Sequence, residues 1–135
     1  MTAILFSFIA ALIAFLALDA IWLKAMARRA YVPEIGGLLR DKPRLAPASL
    51  FYLLFAAGLA FFAILPGLAA KSPMLGAATG AALGLVAYGT YNLTNLAVLR
   101  GYSTRIAVID LLWGGIASGL VAGLVTWAGL LTLDG

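Results

Sequence analysis

Two aspartates and two asparagines lie where the surrounding sequence is almost wholly apolar, and they are the residues of this chain best placed to do chemistry. Asp19 and Trp22 stand near the end of the first apolar run, and Asp110 and Trp113 near the start of the last, so the spacing Asp-x-x-Trp occurs twice. On a helix, residues three apart share a face, which sets a carboxylate beside an indole in each pair. Between them, segment 88–100 carries Tyr88, Tyr91, Asn92 and Asn95 at i, i+3, i+4 and i+7, one stripe of a helix.

Hydrocarbon offers amides, hydroxyls and carboxylates no partners, so these groups must face protein or a water-filled cavity. A charge at mid-membrane costs about 2.5–3.5 kcal/mol by insertion scales, less toward the interface. Two arrangements meet that cost. The first is a polar clasp that fixes helix register, with Asp110 bonded to Asn95 or Tyr91 and Asp19 to Asn92. The second is a pocket: Asp19 and Asp110 as charged anchors for a cation or proton, Asn92 and Asn95 orienting a ligand, and Trp22, Trp113, Tyr88 and Tyr91 walling an amphipathic molecule. Arg100 and Arg105, just beyond the stripe, would then meet a phosphate or carboxylate head at the entrance.

Catalysis has less to work with. Cysteine and histidine are both absent, which removes disulfides, thiolate nucleophiles, imidazole bases and the usual zinc sites. Two carboxylates can serve as acid and base, but no nucleophile elbow, phosphate-binding glycine loop or metal cluster accompanies them. No catalytic residue, metal or cofactor is expected.

These groups must be positioned by membrane helices. Hydrophobic residues make up 64% of the 135 and charged ones 10%, against roughly 25% charged in an average soluble domain. The expected architecture is all-α: a polytopic membrane protein, one domain over 1–135, folded as an antiparallel four-helix bundle with spans at 2–23, 48–65, 74–99 and 106–131. No basic segment precedes the first run, so no cleaved signal peptide is expected. Residues 24–47 read as a loop, broken by Pro33, Gly36, Gly37, Pro43 and Pro47, with 35–39 as a short interfacial element. Ser49 is the expected N-cap of the second span, Pro66 and Gly67 its stop, and Phe51 and Tyr52 its headgroup-level aromatics.

The third and fourth spans carry Gly76, Gly80 and Gly84, and Gly115, Gly119 and Gly123, each set at i, i+4 and i+8. Such small-residue seams let helices approach closely, here each other or a second copy. Of the nine Lys and Arg, eight (Lys24, Arg28, Arg29, Arg40, Lys42, Arg44, Arg100 and Arg105) follow the first and third spans, leaving Lys71 alone on the other side. That places the basic loops in the cytoplasm and both termini in the periplasm. The formal charge of +4 thus reflects topology and phospholipid contact rather than nucleic-acid binding.

Leu18, Asp19, Trp22 and Leu23, then Phe51 and Tyr52 with Gly58, Phe62 and Pro66, the run YGTYNLTNLAVLRG from Tyr88 to Gly101, and Asp110, Trp113 and Gly114 resemble a family of small bacterial predicted membrane proteins classed as a domain of unknown function. The resemblance implies a four-helix inner-membrane protein, and relatives often carry Asp where this chain has Asn92. It also implies a lipid-related setting, since relatives are often encoded near enzymes that modify membrane fatty acids. The expected function is binding of an amphipathic or lipid-like ligand in a cytoplasmic-side pocket, as a small carrier. The alternative is an accessory subunit of a lipid-modifying membrane enzyme, its polar cluster purely structural. Expected partners are membrane lipids, a second copy of the chain or such an enzyme.

Overall fold

A computed structural model describes residues 1–134, 88% of the chain is helical, and the described residues contain no strand. The helices are α1 (Thr2–Met26), α2 (Val32–Ile35), α3 (Leu45–Leu59), α4 (Leu65–Ala69), α5 (Pro73–Val98) and α6 (Thr104–Leu133). They form four rods, because α1 continues into α2 and α3 into α4. Three rods, Thr2–Leu38, Leu45–Ala69 and Thr104–Leu133, are long and apolar enough to cross a membrane. The fourth, α5, has 26 residues but gives up aliphatic side chains to glycines and the polar stripe. It runs antiparallel along α6 and therefore shares its crossing.

Two prolines expected to break helices lie inside rods instead. Proline lacks an N–H, and its ring clashes with the carbonyl four residues back. Each is accommodated by a π-turn that ends two residues before it: Ala27–Tyr31 ahead of Pro33, and Ala60–Ile64 ahead of Pro66. There the Val32 and Leu65 N–H groups reach back five residues, to the carbonyls of Ala27 and Ala60. The wider turn makes room for the carbonyls of Arg29 and Phe62, the ones each proline would strike. The first rod consequently runs on through a 3₁₀ turn at Gly36–Leu38, and the loop expected at 24–47 shrinks to residues 39–44. The second rod passes Pro66 and Gly67 and ends at Ala69. It also starts before Ser49, because Pro47 falls in the first turn of α3, where no N–H is needed.

The other ends follow familiar rules. At the end of α4 the Ser72 N–H returns to the Gly67 carbonyl at 2.9 Å, with Lys71 left-handed at φ +52. Ser72 and Ser103 cap α5 and α6, their hydroxyl oxygens accepting from Leu75 N at 3.0 Å and Ile106 N at 3.2 Å.

The α5–α6 hairpin is the most closely packed pair of the bundle. Each four-residue step along α5 meets a four-residue step back along α6: Gly76 faces Thr126, Gly80 Ala122, Gly84 Ser118, and Tyr88 Gly114. The second seam lies in the same interface, with Gly115 against Leu85, Gly119 against Ala81 and Gly123 against Ala77. The two seams thus bury small side chains and backbone of the opposite helix rather than each other. On the other side of α6, Phe15, Phe55, Leu59, Ile64, Val121 and Val125 build the main core. A smaller core of Ala30, Ile35 and Ile106 fastens the extension of the first rod to the start of α6.

Candidate functional site

Both carboxylates are buried, Asp19 at 7% exposure and Asp110 at 9%, close to the end of the bundle that carries most of the basic residues. Each is held by two neutral donors. Asp19 accepts from the Trp113 indole at 3.0 Å and from the Tyr52 hydroxyl. Asp110 accepts from the Tyr31 hydroxyl and from the Asn92 amide, each at 2.6 Å. Trp22 donates to the Tyr31 oxygen at 2.9 Å, so its indole reaches Asp110 through one phenol.

The two Asp-x-x-Trp segments are therefore cross-connected. Trp113, on α6, serves the aspartate of α1; Trp22, on α1, serves the aspartate of α6 by way of Tyr31. Between them the indoles stack face to face, centroids 4.2 Å apart and planes 5° from parallel. An indole N–H is a donor only, which suits it to a carboxylate that has only acceptors.

Asn92 joins α5 to this network. Its amide donates also to its own Tyr88 carbonyl at 2.9 Å, and its oxygen accepts from the Tyr102 hydroxyl at 2.7 Å. Burial pushes the Tyr102 phenol up to about 12, so at neutral pH it stays a donor. The bonds expected of a clasp are differently distributed: Asp110, not Asp19, takes Asn92, and neither Tyr91 nor Asn95 bonds a carboxylate. The cause is the glycine seam. Steps of four put Gly84, Tyr88 and Asn92 against α6, and Tyr91, about 100° round the helix from Asn92, must point elsewhere. It is 56% exposed, and Asn95 is half-buried on the same flank.

Three tyrosines of the network escaped the sequence reading. Tyr52 turns inward to Asp19 instead of resting at headgroup level, and Tyr31 is delivered by the rod extension that Pro33 seemed to forbid. The signal for Tyr31 was the persistence of helical spacing through Ala27, Ala30, Tyr31 and Ile35. Tyr102, in the turn after α5, carried no signal.

Of the two expected head-group arginines, Arg100 is exposed. Arg105 is engaged: its guanidinium lies 3.2 Å from Glu34, which also accepts from Ser103 at 2.5 Å. The Ser103 hydroxyl and then the Arg105 charge hold the Glu34 carboxyl below the usual carboxylate range. This is the one ion pair among the described residues, so neither aspartate has a cationic partner.

A groove of about 410 Å³ opens between α3 and α5, lined by Phe51, Ala87, Tyr88, Thr90, Tyr91 and Asp110. The Tyr88 ring packs on the bare backbone of Gly114 and meets Phe51 and Phe55 edge-on, centroids 6.3 and 6.1 Å away. Phe51 and Tyr91 are exposed on the outer surface of the bundle, so the groove opens sideways, toward where lipid would lie. A second recess, of about 470 Å³ between α1 and the second rod, is lined only by apolar residues such as Phe8, Ala57 and Phe61. No group of His, Cys, Asp and Glu suited to a metal occurs among the described residues.

Residues 4–128 match a family model described as a predicted membrane protein (DUF2177). No curated protein and no solved structure matches the chain.

Proposed function

Because the chain belongs to this family of predicted membrane proteins, whose function is unknown, we propose from its geometry that it binds an amphipathic, lipid-like molecule entering sideways from the bilayer. The observation that carries this reading is the groove between α3 and α5: apolar and aromatic along its walls, open to the outer surface, with Asp110 as the one charged group lining it. Ligand sites combine a largely apolar surface with a few placed polar groups, and 410 Å³ lies in the range of small-molecule pockets. Phe51, Tyr88 and Tyr91 wall the groove, Asp110 anchors the ligand, and Asn92 and Tyr31 hold the anchor in place. Trp22, Trp113 and Asp19 stand behind them as support rather than as walls. The protein would work as a small carrier in a bacterial inner membrane, its groove toward the cytoplasmic side and its termini periplasmic. Eight basic residues against Lys71 alone support that orientation.

Native mass spectrometry of protein gently extracted from its own membrane tests the reading. A retained lipid-sized adduct is expected on wild type and is expected to be lost from Asp110→Asn. Wild type free of adducts, in both native and added lipid, would contradict it.

One observation favours a second reading. Each carboxylate already has two donors, as a clasp requires, so the polar cluster could serve assembly alone, as in an accessory subunit. Under that reading Asp19→Asn and Asp110→Asn loosen the bundle equally and leave any bound lipid in proportion to folded protein.

A further inference from the structure

The groove's inner end presents acceptors without a positive charge to meet them. A carboxylate has about four lone-pair sites, and Asp110 spends two of them on Tyr31 and Asn92. Its donors are neutral, and the one ion pair among the described residues joins Arg105 to Glu34, not to Asp110. A second feature points at the same place independently of the acids. Tyr88 is 8% exposed and lines the groove, its ring fixed by Gly114, Phe51 and Phe55, yet its hydroxyl has no hydrogen-bond partner. Tyr88 and Asp110 line the same groove, so the hydroxyl and the carboxylate belong to one surface. The sealed side-chain atoms without a partner among the described residues are Ser7 Oγ and Ser118 Oγ, so the Tyr88 oxygen is unpartnered but still open to the groove. A phenol left over in a ligand groove is an unused contact.

We infer that the occupant of the groove carries an ammonium head, which sits between the Asp110 carboxylate and the Tyr88 hydroxyl while its apolar tail lies along Phe51 and Tyr91 toward the bilayer. This rests on the reading of the groove as a ligand site and names the chemistry of the ligand. An ammonium is all donors, which complements a carboxylate with free lone pairs and a phenol oxygen free to accept. The faces of Phe51 and Tyr91 add attraction for a cation at the mouth. A phosphate or carboxylate head at this depth would face the buried Asp110 carboxylate and gain no donor cation in return. A neutral alcohol fits the space and forgoes the Coulombic gain, which is large where water is excluded.

The test uses three twelve-carbon amphiphiles at pH 8, dodecylammonium, dodecanol and dodecanoate, titrated into the full-length protein in lipid nanodiscs. Dodecylammonium is expected to bind at least tenfold more tightly than the other two. Asp110→Asn should bring dodecylammonium to within about threefold of dodecanol on the same variant, and Tyr88→Phe should narrow the preference for the ammonium over dodecanol severalfold. Tyr88→Phe loses one oxygen and no bond of the observed network, so it keeps the test valid if Asp110→Asn does not fold. Equal binding of dodecylammonium and dodecanol by wild type would overturn the ammonium inference and leave the groove as a ligand site. So would a preference that survives both substitutions. Failure of all three amphiphiles to bind would overturn the groove reading itself. Competition by discs rich in phosphatidylethanolamine, but not phosphatidylglycerol, would support an ammonium supplied by a membrane lipid; tight binding without such competition would support a free amine.

Discussion

Trp22 and Trp113 lie flat against each other, ring centroids 4.2 Å apart, although 91 positions separate them in the chain and each belongs to a different Asp-x-x-Trp segment. The stack joins α1 to α6 at the depth of the two acids, and through it the antiparallel segments exchange donors: Trp113 to Asp19 directly, Trp22 to Asp110 through Tyr31. An inverted pair of similar segments, each completing the other, is what an internal inverted repeat would look like at this scale.

The exchange makes the two indoles unequal. Trp113→Phe keeps a ring in the stack but strips buried Asp19 of one of its two direct donors, which costs about 1–3 kcal/mol. Trp22→Phe leaves Asp110 with both direct donors and is expected to cost less. Equilibrium unfolding in a mild detergent should rank Trp113→Phe below Trp22→Phe, and the double variant should show a coupling of about 0.5–1.5 kcal/mol from the stack.

The α5–α6 seam leaves no room for a methyl group. A Cβ on Gly84 would overlap the Gly114 carbonyl oxygen and the Ser118 side chain, whereas one on Gly37 would meet nothing within 4 Å. Gly84→Ala is expected to lose about 3 kcal/mol or more by overpacking against backbone, and Gly37→Ala to unfold like wild type. Parallel thermal melts of the two variants check this.

The pH response of the basic end follows from Glu34. Its carboxyl lies below its ordinary range in the folded protein, so the stabilisation is fully present above the unfolded value and is lost as pH falls through the folded one. Hydrogen-exchange protection in α2, measured against the intrinsic rate at each pH, is therefore expected to fall in acid, below the ordinary carboxylate range, and Glu34→Gln should show the lower protection already at neutral pH. The pair is largely exposed and screened, so the effect is local.

Orientation can be read without removing any native thiol, since the chain has none. A cysteine introduced at Asp41, in the loop between α2 and α3, is expected to react with a membrane-impermeant maleimide only after the cells are opened. One at Asp134 should react in intact spheroplasts. The reverse pattern would invert the assignment of both termini to the periplasm.

Much of this was legible in the sequence because polarity is conspicuous in an apolar chain. Asp19, Asp110, Asn92, Trp22 and Trp113 stood out for that reason, and the network includes all five. The partners did not stand out. A tyrosine near the end of a membrane helix usually rests at the headgroups, so Tyr52 and Tyr31 looked ordinary. The extension that carries Tyr31 depends on a π-turn, whose cause, a proline meeting the carbonyl four residues back, reads in sequence as a helix stop. Likewise one polar stripe from Tyr88 to Asn95 was too coarse a description. The neighbouring glycine seam decides which side of the stripe faces α6, and it selects Tyr88 and Asn92 while leaving Tyr91 on the rim.

The most direct measurement is to map where lipid sits. Native-membrane vesicles containing the protein and a diazirine-bearing alkyl lipid would be irradiated and the labelled residues sequenced. Labelling is expected to concentrate at Phe51, Ala87, Thr90 and Tyr91, and to fall there in Asp110→Asn. Label spread evenly over the lipid-facing residues of all four rods, or gathered in the recess around Phe8 and Phe61, would contradict a ligand site between α3 and α5.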